Sequence, residues 1–112
     1  MKLKTLEKDI QKAILQYLKA KRIFHYRQNS GAFKTENGFM RTASLNGLPD
    51  IVAIKDGIYI GLEVKTQNGR QSDAQRGIQN EITKAGGLYF VVRSVADVQM
   101  IFETKPIKEM AA

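Results

Sequence analysis

Hydrophobic residues recur along this chain at two spacings, one typical of amphipathic helices and the other of β-strands. Helical spacing covers residues 5–19, with Thr5 as the predicted N-cap, recurs over 73–85, and returns after Ser94. Strand-like runs occupy residues 23–27, 50–54, 58–65 and 88–92. The order α-β-β-β-α-β-α predicts an α/β domain with a mixed central sheet flanked by helices. The last two strands are joined through a helix, so we expect them to be parallel.

The second and third predicted strands form a hairpin. They flank Asp56-Gly57, a dipeptide that favours a type I′ turn because both turn residues need positive φ. Counting back from this turn places Asp50 opposite Glu63, with their Cβ atoms roughly 5 Å apart on one face of the sheet. Lys65 lies two residues beyond Glu63 and therefore on the same face.

Two carboxylates at this distance repel each other unless a cation lies between them. A hard divalent ion with oxygen ligands, Mg²⁺ or Mn²⁺, suits the pair. The alternatives are that Asp50 is an ordinary residue before a strand and that Glu63 and Lys65 form an exposed ion pair. The apolar neighbours of Glu63 weaken the second alternative, because a charge in a buried strand is costly.

These residues resemble a known nuclease signature. Pro49-Asp50, twelve further residues and then Glu63-Val64-Lys65 are similar to the PD-(D/E)XK motif. Gly47-Leu48-Pro49-Asp50, Glu63-Val64-Lys65-Thr66 and Ser72-Asp73-Ala74-Gln75 narrow the resemblance to the virus-type replication-repair nuclease (VRR-Nuc) domain. The resemblance runs from Glu7 to about Val92 and implies a restriction-endonuclease-like core.

The resemblance also implies roles for the site residues. Asp50 and Glu63 would hold the metal ion, the Val64 carbonyl would complete the protein ligands, and Lys65 would orient and activate the attacking water. Two further residues have open alternatives. Glu7, expected to help place an ion directly or through water, lies at the edge of the apolar helical stripe and is equally explained as solvent-facing. Gln75, expected near the metal, is also fully explained by a capping box with Ser72.

Six polar residues around the predicted site are candidates for DNA contacts. Lys34 and Arg41 lie in a long irregular stretch, 30–46, which is predicted to be a DNA-gripping flap or alternatively a disordered insertion. The weak strand pattern of 38–43 also allows an extra hairpin arm or a dimer contact. The others border the first strand or the N-terminus of the helix after the hairpin: Arg27, Asn29, Arg70 and Arg76. The single histidine, His25, is assigned no role.

Composition narrows the class of protein. The 112 residues predict one domain, 1–112, with a mobile tail from about 104. A net charge of +7 favours a polyanion partner, although plain solubility also explains it. The absence of cysteine excludes disulfides and thiolate metal sites and fits the cytoplasm of a bacterial or virus-infected cell. No apolar run reaches the roughly 20 residues that span a bilayer, and we expect no signal peptide.

We therefore predict a Mg²⁺- or Mn²⁺-dependent, structure-selective DNA endonuclease that needs no small-molecule cofactor. The resemblance further implies a homodimer that resolves four-way (Holliday) junctions in DNA repair or recombination. The alternative is a non-catalytic, basic nucleic-acid-binding module on the same fold. A third possibility is a protein–protein adaptor that uses the hairpin edge, although an adaptor has no use for facing carboxylates.

Overall fold

The computed structural model describes residues 6–28, 32–35, 38–41 and 46–111. The elements in chain order are α1 (Glu7–Ala20), β1 (Phe24–Arg27), β2 (Ala32–Thr35), β3 (Gly38–Arg41), β4 (Ile51–Lys55), β5 (Ile58–Val64), α2 (Asp73–Lys84), β6 (Leu88–Val92), α3 (Val95–Glu103) and α4 (Ile107–Ala111). Four strands form a sheet in the order β1-β4-β5-β6, and β2 pairs with β3 alone. The predicted mixed sheet with flanking helices is confirmed.

The register of the central hairpin follows the sequence pattern. Asp56 and Gly57 adopt φ values of 55° and 77°, as a type I′ turn requires. The turn pairs Lys55 with Ile58 and continues to Ile51 opposite Leu62, so the next pair is Asp50 and Glu63. Strand β5 then pairs with β6 in parallel through α2, as predicted.

The main hydrophobic core lies on one face of this sheet. Helices α1, α3 and α4 cover that face with Ile14, Leu18, Val98 and Ile107, all nearly inaccessible to solvent. The sheet residues below them are Ile51, Ala53, Ile60, Leu62, Val64 and Val92. Because side chains alternate along a strand, Asp50, Glu63 and Lys65 point to the opposite face. The hydrophobic core therefore packs against the face of the sheet opposite to the acids.

Helix α2 and the segment before β4 cover part of that opposite face. Gly47, with φ of 93°, approaches α2 so closely that a Cβ there would lie 2.5 Å from the carbonyl carbon of Ala74. A Cβ on Gly61 would lie 2.8 Å from the Pro49 ring. Glycine at both positions lets the chain carrying Asp50 lie flat between β5 and α2.

Three predictions differ from the structure. Leu6, without a side-chain hydrogen bond, occupies the N-cap of α1, and Thr5 lies outside the described residues. The stretch 30–46, predicted to be irregular, contains the hairpin of β2 and β3, which corresponds to the extra hairpin arm that the weak strand pattern of 38–43 allowed. Part of the tail expected to be mobile from 104 is helix α4, because Ile107 is buried in the core at 1% exposure.

No helix within these ranges is both long and apolar enough to cross a bilayer.

Candidate active site

Asp50 and Glu63 meet at the end of the central hairpin. Asp50 directly precedes β4, and its Oδ2 accepts a hydrogen bond from the Val64 backbone N–H at 2.8 Å. Its carbonyl accepts from the Gln28 N–H at 2.7 Å, which fixes its backbone against the chain after β1. Glu63 lies within β5 and is only 2% exposed. The strand register thus brings the two acids together as predicted.

Gln75 connects helix α2 to Glu63. Its Oε1 accepts from the Ser72 N–H, and its backbone N–H donates to Ser72 Oγ, which completes the predicted capping box. Its Nε2 donates to Glu63 Oε2 at 2.9 Å. Gln75 can therefore cap α2 and contact Glu63 at the same time, because its Oε1 accepts from Ser72 while its Nε2 donates to Glu63.

Burial is the main influence on the Glu63 carboxyl. The pKa is raised to about 8, with burial as the largest cause and the neighbouring charge of Asp50 as the second. The charge of Lys65 acts in the opposite direction and lowers this pKa. A carboxyl group whose pKa is raised by burial together with a specific neighbouring charge is a candidate functional group.

The donor atoms at this site fit a hard divalent cation. Among the described residues, Glu63 Oε1 is buried and has no hydrogen-bond partner. A buried carboxylate oxygen without a partner is destabilising, and a cation beside it would remove the cost. The Asp50 and Glu63 carboxylates are oxygen donors of the kind that Mg²⁺ and Mn²⁺ prefer, and the Val64 carbonyl stays a predicted ligand.

Glu7 is not part of a compact ligand group. It is the first residue of α1 and is exposed. Its charge is the last of the causes that raise the pKa of Glu63. Across the described ranges, no group of three or more Asp, Glu, His or Cys side chains is arranged to hold a metal ion. Participation of Glu7 through water stays a prediction.

The loop after Lys65 is held in place by Arg93. Arg93 Nη1 donates to the carbonyls of Thr66 at 2.5 Å and Gly69 at 2.7 Å. A Cβ on Gly69 would lie 3.3 Å from the Lys65 Cβ, so the loop packs against the stem of this lysine. Sequence reasoning did not identify Arg93, because its partners are backbone carbonyls without a residue signature.

Tyr89 is a second residue that the sequence pattern did not reveal. It is 6% exposed, and its hydroxyl has no partner among the described residues. Burial raises its pKa to about 12, with the negative charge of Glu63 as the next cause. Tyr89 pairs with Gly61 across the parallel strands, and this register places its ring on the face of the acids. The run Leu88–Val92 reads only as an apolar strand until that register is known.

The predicted DNA-contacting residues do not all lie on this face, because Arg27 pairs with the core-face residue Ile51. Arg27 and Arg70 are exposed, and Arg76 is exposed while paired with Asp73 and donating to the Gln71 carbonyl at 3.1 Å. Lys34 lies in β2 and Arg41 in β3, but their side chains are not among the described parts of the structure. Asn29 lies outside the described residues. His25 Nδ1 donates to the Ile23 carbonyl at 2.7 Å, a local backbone contact.

Solved structures share this fold. One described as "VRR_NUC domain" is 22% identical, with a TM-score of 0.66, and the match covers 89% of this chain and 97% of the other. A "VRR_NUC domain protein" is 14% identical, with a TM-score of 0.61, over 90% and 88% of the two chains. No protein-family model and no curated protein matches the chain.

The similarity covers nearly the whole of the chain and of both neighbours. It confirms that this chain has the fold of a VRR-Nuc domain, a nuclease-family fold, as the sequence resemblance predicted. Within that fold, the Asp50 and Glu63 carboxylates, Lys65 and Gln75 lie at one end of the central hairpin.

Proposed function

We propose that this protein is a divalent-metal-dependent endonuclease that hydrolyses phosphodiester bonds in DNA. The observation that carries the proposal is the buried Glu63 carboxylate, which lies beside Asp50 with one oxygen unsatisfied among the described residues. A binding module gains nothing from this pair of acids, because their negative charge repels phosphate and the burial of an unsatisfied carboxyl group destabilises the fold. A nuclease needs that charge to bind its metal.

Each residue has a distinct part in the reaction. Asp50, Glu63 and the Val64 carbonyl would hold Mg²⁺ or Mn²⁺, which supplies Lewis acidity and neutralises charge developing on the phosphate. Lys65 would orient the attacking water, and the loop fixed by Arg93 limits the positions that its side chain can take. Gln75 holds one oxygen of Glu63, and the other has no hydrogen-bond partner among the described residues.

The resemblance to VRR-Nuc domains supports a narrower proposal for the substrate. Compact members of that family act as homodimers on four-way junctions, and two sites related by a dyad suit symmetric cutting of two strands. We place the reaction on branched DNA in the cytoplasm, in repair or recombination. The lack of cysteine suits a reducing compartment.

A cleavage assay tests the catalytic proposal. The protein is incubated with four-way junction, flap, linear duplex and single-stranded DNA, each with Mg²⁺, Mn²⁺ or chelator. We expect metal-dependent cleavage that Asp50→Asn and Lys65→Ala each reduce by at least roughly 100-fold, while DNA binding persists. Asp56→Asn and Lys55→Ala are matched controls, since both residues are exposed at the far end of the same hairpin.

The outcomes separate the alternatives. Cleavage by Asp50→Asn equal to that of the parent would reject the site assignment. Salt-sensitive DNA binding without cleavage under any metal condition would favour the non-catalytic binding module. Sedimentation that shows only monomers at assay concentrations would reject the homodimer.

A further inference from the structure

Strand β1 presents two aromatic rings to solvent. Phe24 is 64% exposed and Tyr26 is 44% exposed. Their ring centroids lie 6.2 Å apart with an edge-to-face angle of 66°, so they form one continuous surface. Contiguous exposed apolar area of this kind is typical of binding surfaces.

These rings lie on the same face of the sheet as the candidate active site. Tyr26 pairs with Val52, and Phe24 pairs with Ile54, which is itself 39% exposed. Paired residues of neighbouring strands share a face, and so do residues two apart along a strand. The position of Asp50 is therefore one same-face step, roughly 7 Å, along β4 from that of Val52. The rings extend the active face beyond the carboxylates.

Basic residues lie close to the rings. Arg22 lies two residues before β1 and is exposed, and the segment 21–27 contains no acidic residue. Arg27, the last residue of β1, is also exposed, but it pairs with Ile51 and therefore alternates to the other face of the sheet. Exposed aromatic rings beside a basic side chain are a combination that binds an unpaired nucleic-acid strand, because bases stack on rings while cations contact phosphates. A second copy of this chain, also of net charge +7, would bring two such basic segments together. The charge pattern therefore favours nucleic acid as the occupant.

We propose that Phe24 and Tyr26 stack on unpaired DNA bases while Arg22 contacts an adjoining phosphate. The substrate class of the active face is then DNA with unpaired or unstacked bases beside a duplex, as at a branch point or the arm of a fork. This assignment of substrate rests on the proposed nuclease function, whereas the stacking itself requires no cleavage.

Binding in the presence of chelator tests the stacking without chemistry. The probes are a forked duplex with single-stranded arms, the same fork with 2-aminopurine in one arm, and a fully paired duplex. We expect Phe24→Ala/Tyr26→Ala to weaken binding of the fork by at least roughly 10-fold and to abolish quenching of 2-aminopurine, with little effect on duplex binding. Met100→Ala, at a 66% exposed position on α3, is the matched control and should bind as the parent does.

A second pair of variants distinguishes stacking from general apolar contact. Phe24→Leu/Tyr26→Leu keeps apolar area without rings and should behave as the alanine variant does. Phe24→Trp/Tyr26→Trp keeps the rings and should retain binding and quenching. Circular dichroism and thermal unfolding verify that each variant is folded. If the alanine variant is unfolded, the comparison of the leucine and tryptophan variants still tests the inference.

Two results would overturn the inference. One is unchanged fork binding and quenching in the folded leucine variant. The other is a parent dimer that the leucine variant dissociates while DNA binding per chain is unchanged, because this surface would then hold a second copy. Fork quenching that depends on the rings, combined with no cleavage of any DNA, would instead reject the nuclease proposal and leave the stacking surface standing.

Discussion

At the scale of single residues, Glu63 combines burial, a neighbouring carboxylate and an oxygen that no described residue satisfies. All three features raise the free energy of its charged form in the metal-free protein. The charge of Lys65 offsets only part of this cost. The stability of the fold and the binding of a cation should therefore be linked through this one carboxyl group.

The linkage has a definite sign. The pKa of Glu63 is about 8 in the folded protein against 4.5 ordinarily, so between these values the folded state binds more protons than the unfolded state. We expect the free energy of unfolding of the metal-free protein to decrease, by on the order of a few kcal/mol, as pH rises through that window. Denaturant titrations in chelator at a series of pH values measure it.

Glu63→Gln should flatten this pH dependence and make the metal-free protein more stable at pH 8, because it removes the buried charge. Asp56→Asn, at the exposed turn, should leave the pH dependence unchanged. Divalent cation should stabilise the parent at pH 8 and not the Glu63→Gln variant. A parent protein whose stability is constant or increases across the window would contradict the assignment.

Gln75 allows its two roles to be separated by substitution. Gln75→Glu keeps an oxygen that accepts from the Ser72 N–H but removes the donor to Glu63, so we expect cleavage to fall roughly 10- to 100-fold with the helix cap retained. Ser72→Ala should do the reverse, lowering stability by about 1 kcal/mol with a smaller effect on cleavage. Thermal unfolding and cleavage rates measured on both variants test this. Equal effects on cleavage would show that Gln75 acts only through the cap.

At the scale of elements, the site depends on how closely the chain before β4 approaches α2. Gly47 meets the backbone of Ala74 and Gln75, and no side chain intervenes. This contact joins the segment carrying Asp50 to the helix that carries Gln75. The two elements are far apart in sequence, yet they determine the position of the same pair of carboxylates.

Gly47→Ala should disturb both elements together. Its Cβ would lie 2.5 Å from backbone atoms of Ala74, and its φ of 93° is strained for alanine, so we expect a large loss of stability together with loss of cleavage. Gly57→Ala is the matched control, because its φ is 77° but no atom lies within 4 Å of the new Cβ. That variant should lose only roughly 1–2 kcal/mol, from the strain of the turn. Denaturant titration compares the two, and similar losses would argue against the close contact.

At the scale of the whole molecule, the sheet separates stability from chemistry. Helices α1, α3 and α4 bury one face, while the other carries the acids, α2 and the exposed rings of β1. The net charge of +7 acts over the whole surface and should draw DNA toward the protein. The face of the sheet that carries the acids then determines how the DNA binds.

DNA affinity should fall steeply with salt, because bound phosphates release counterions. Arg27→Ala should reduce the magnitude of the slope of log K against log salt by about 1, since one phosphate contact is lost. Lys108→Ala, in α4 on the opposite layer, should leave the slope unchanged. Fluorescence anisotropy across a salt series measures both slopes. An Arg27→Ala slope equal to that of the parent would remove this residue from the phosphate contacts.

Much of the central hairpin and of the candidate site could be predicted from local sequence. The Asp56-Gly57 turn determined the register of the hairpin, and alternation along its strands then placed Asp50, Glu63 and Lys65 on one face. The capping box of Ser72 and Gln75 was equally readable, because both partners lie within one helical turn. Short-range backbone geometry is sufficient for each of these features.

The tertiary structure alone decided the remainder, since those contacts join residues distant in sequence or use backbone atoms. Arg93 donates to carbonyls of the loop after β5. The parallel register of β5 and β6 places Tyr89 on the face of the acids. Ile107, in the short helix α4, is buried in the core. Glu7 is the opposite case: helical periodicity left its orientation open, and the fold leaves it exposed at the start of α1. Sequence therefore specified the pair of carboxylates, and three-dimensional packing determined what surrounds them.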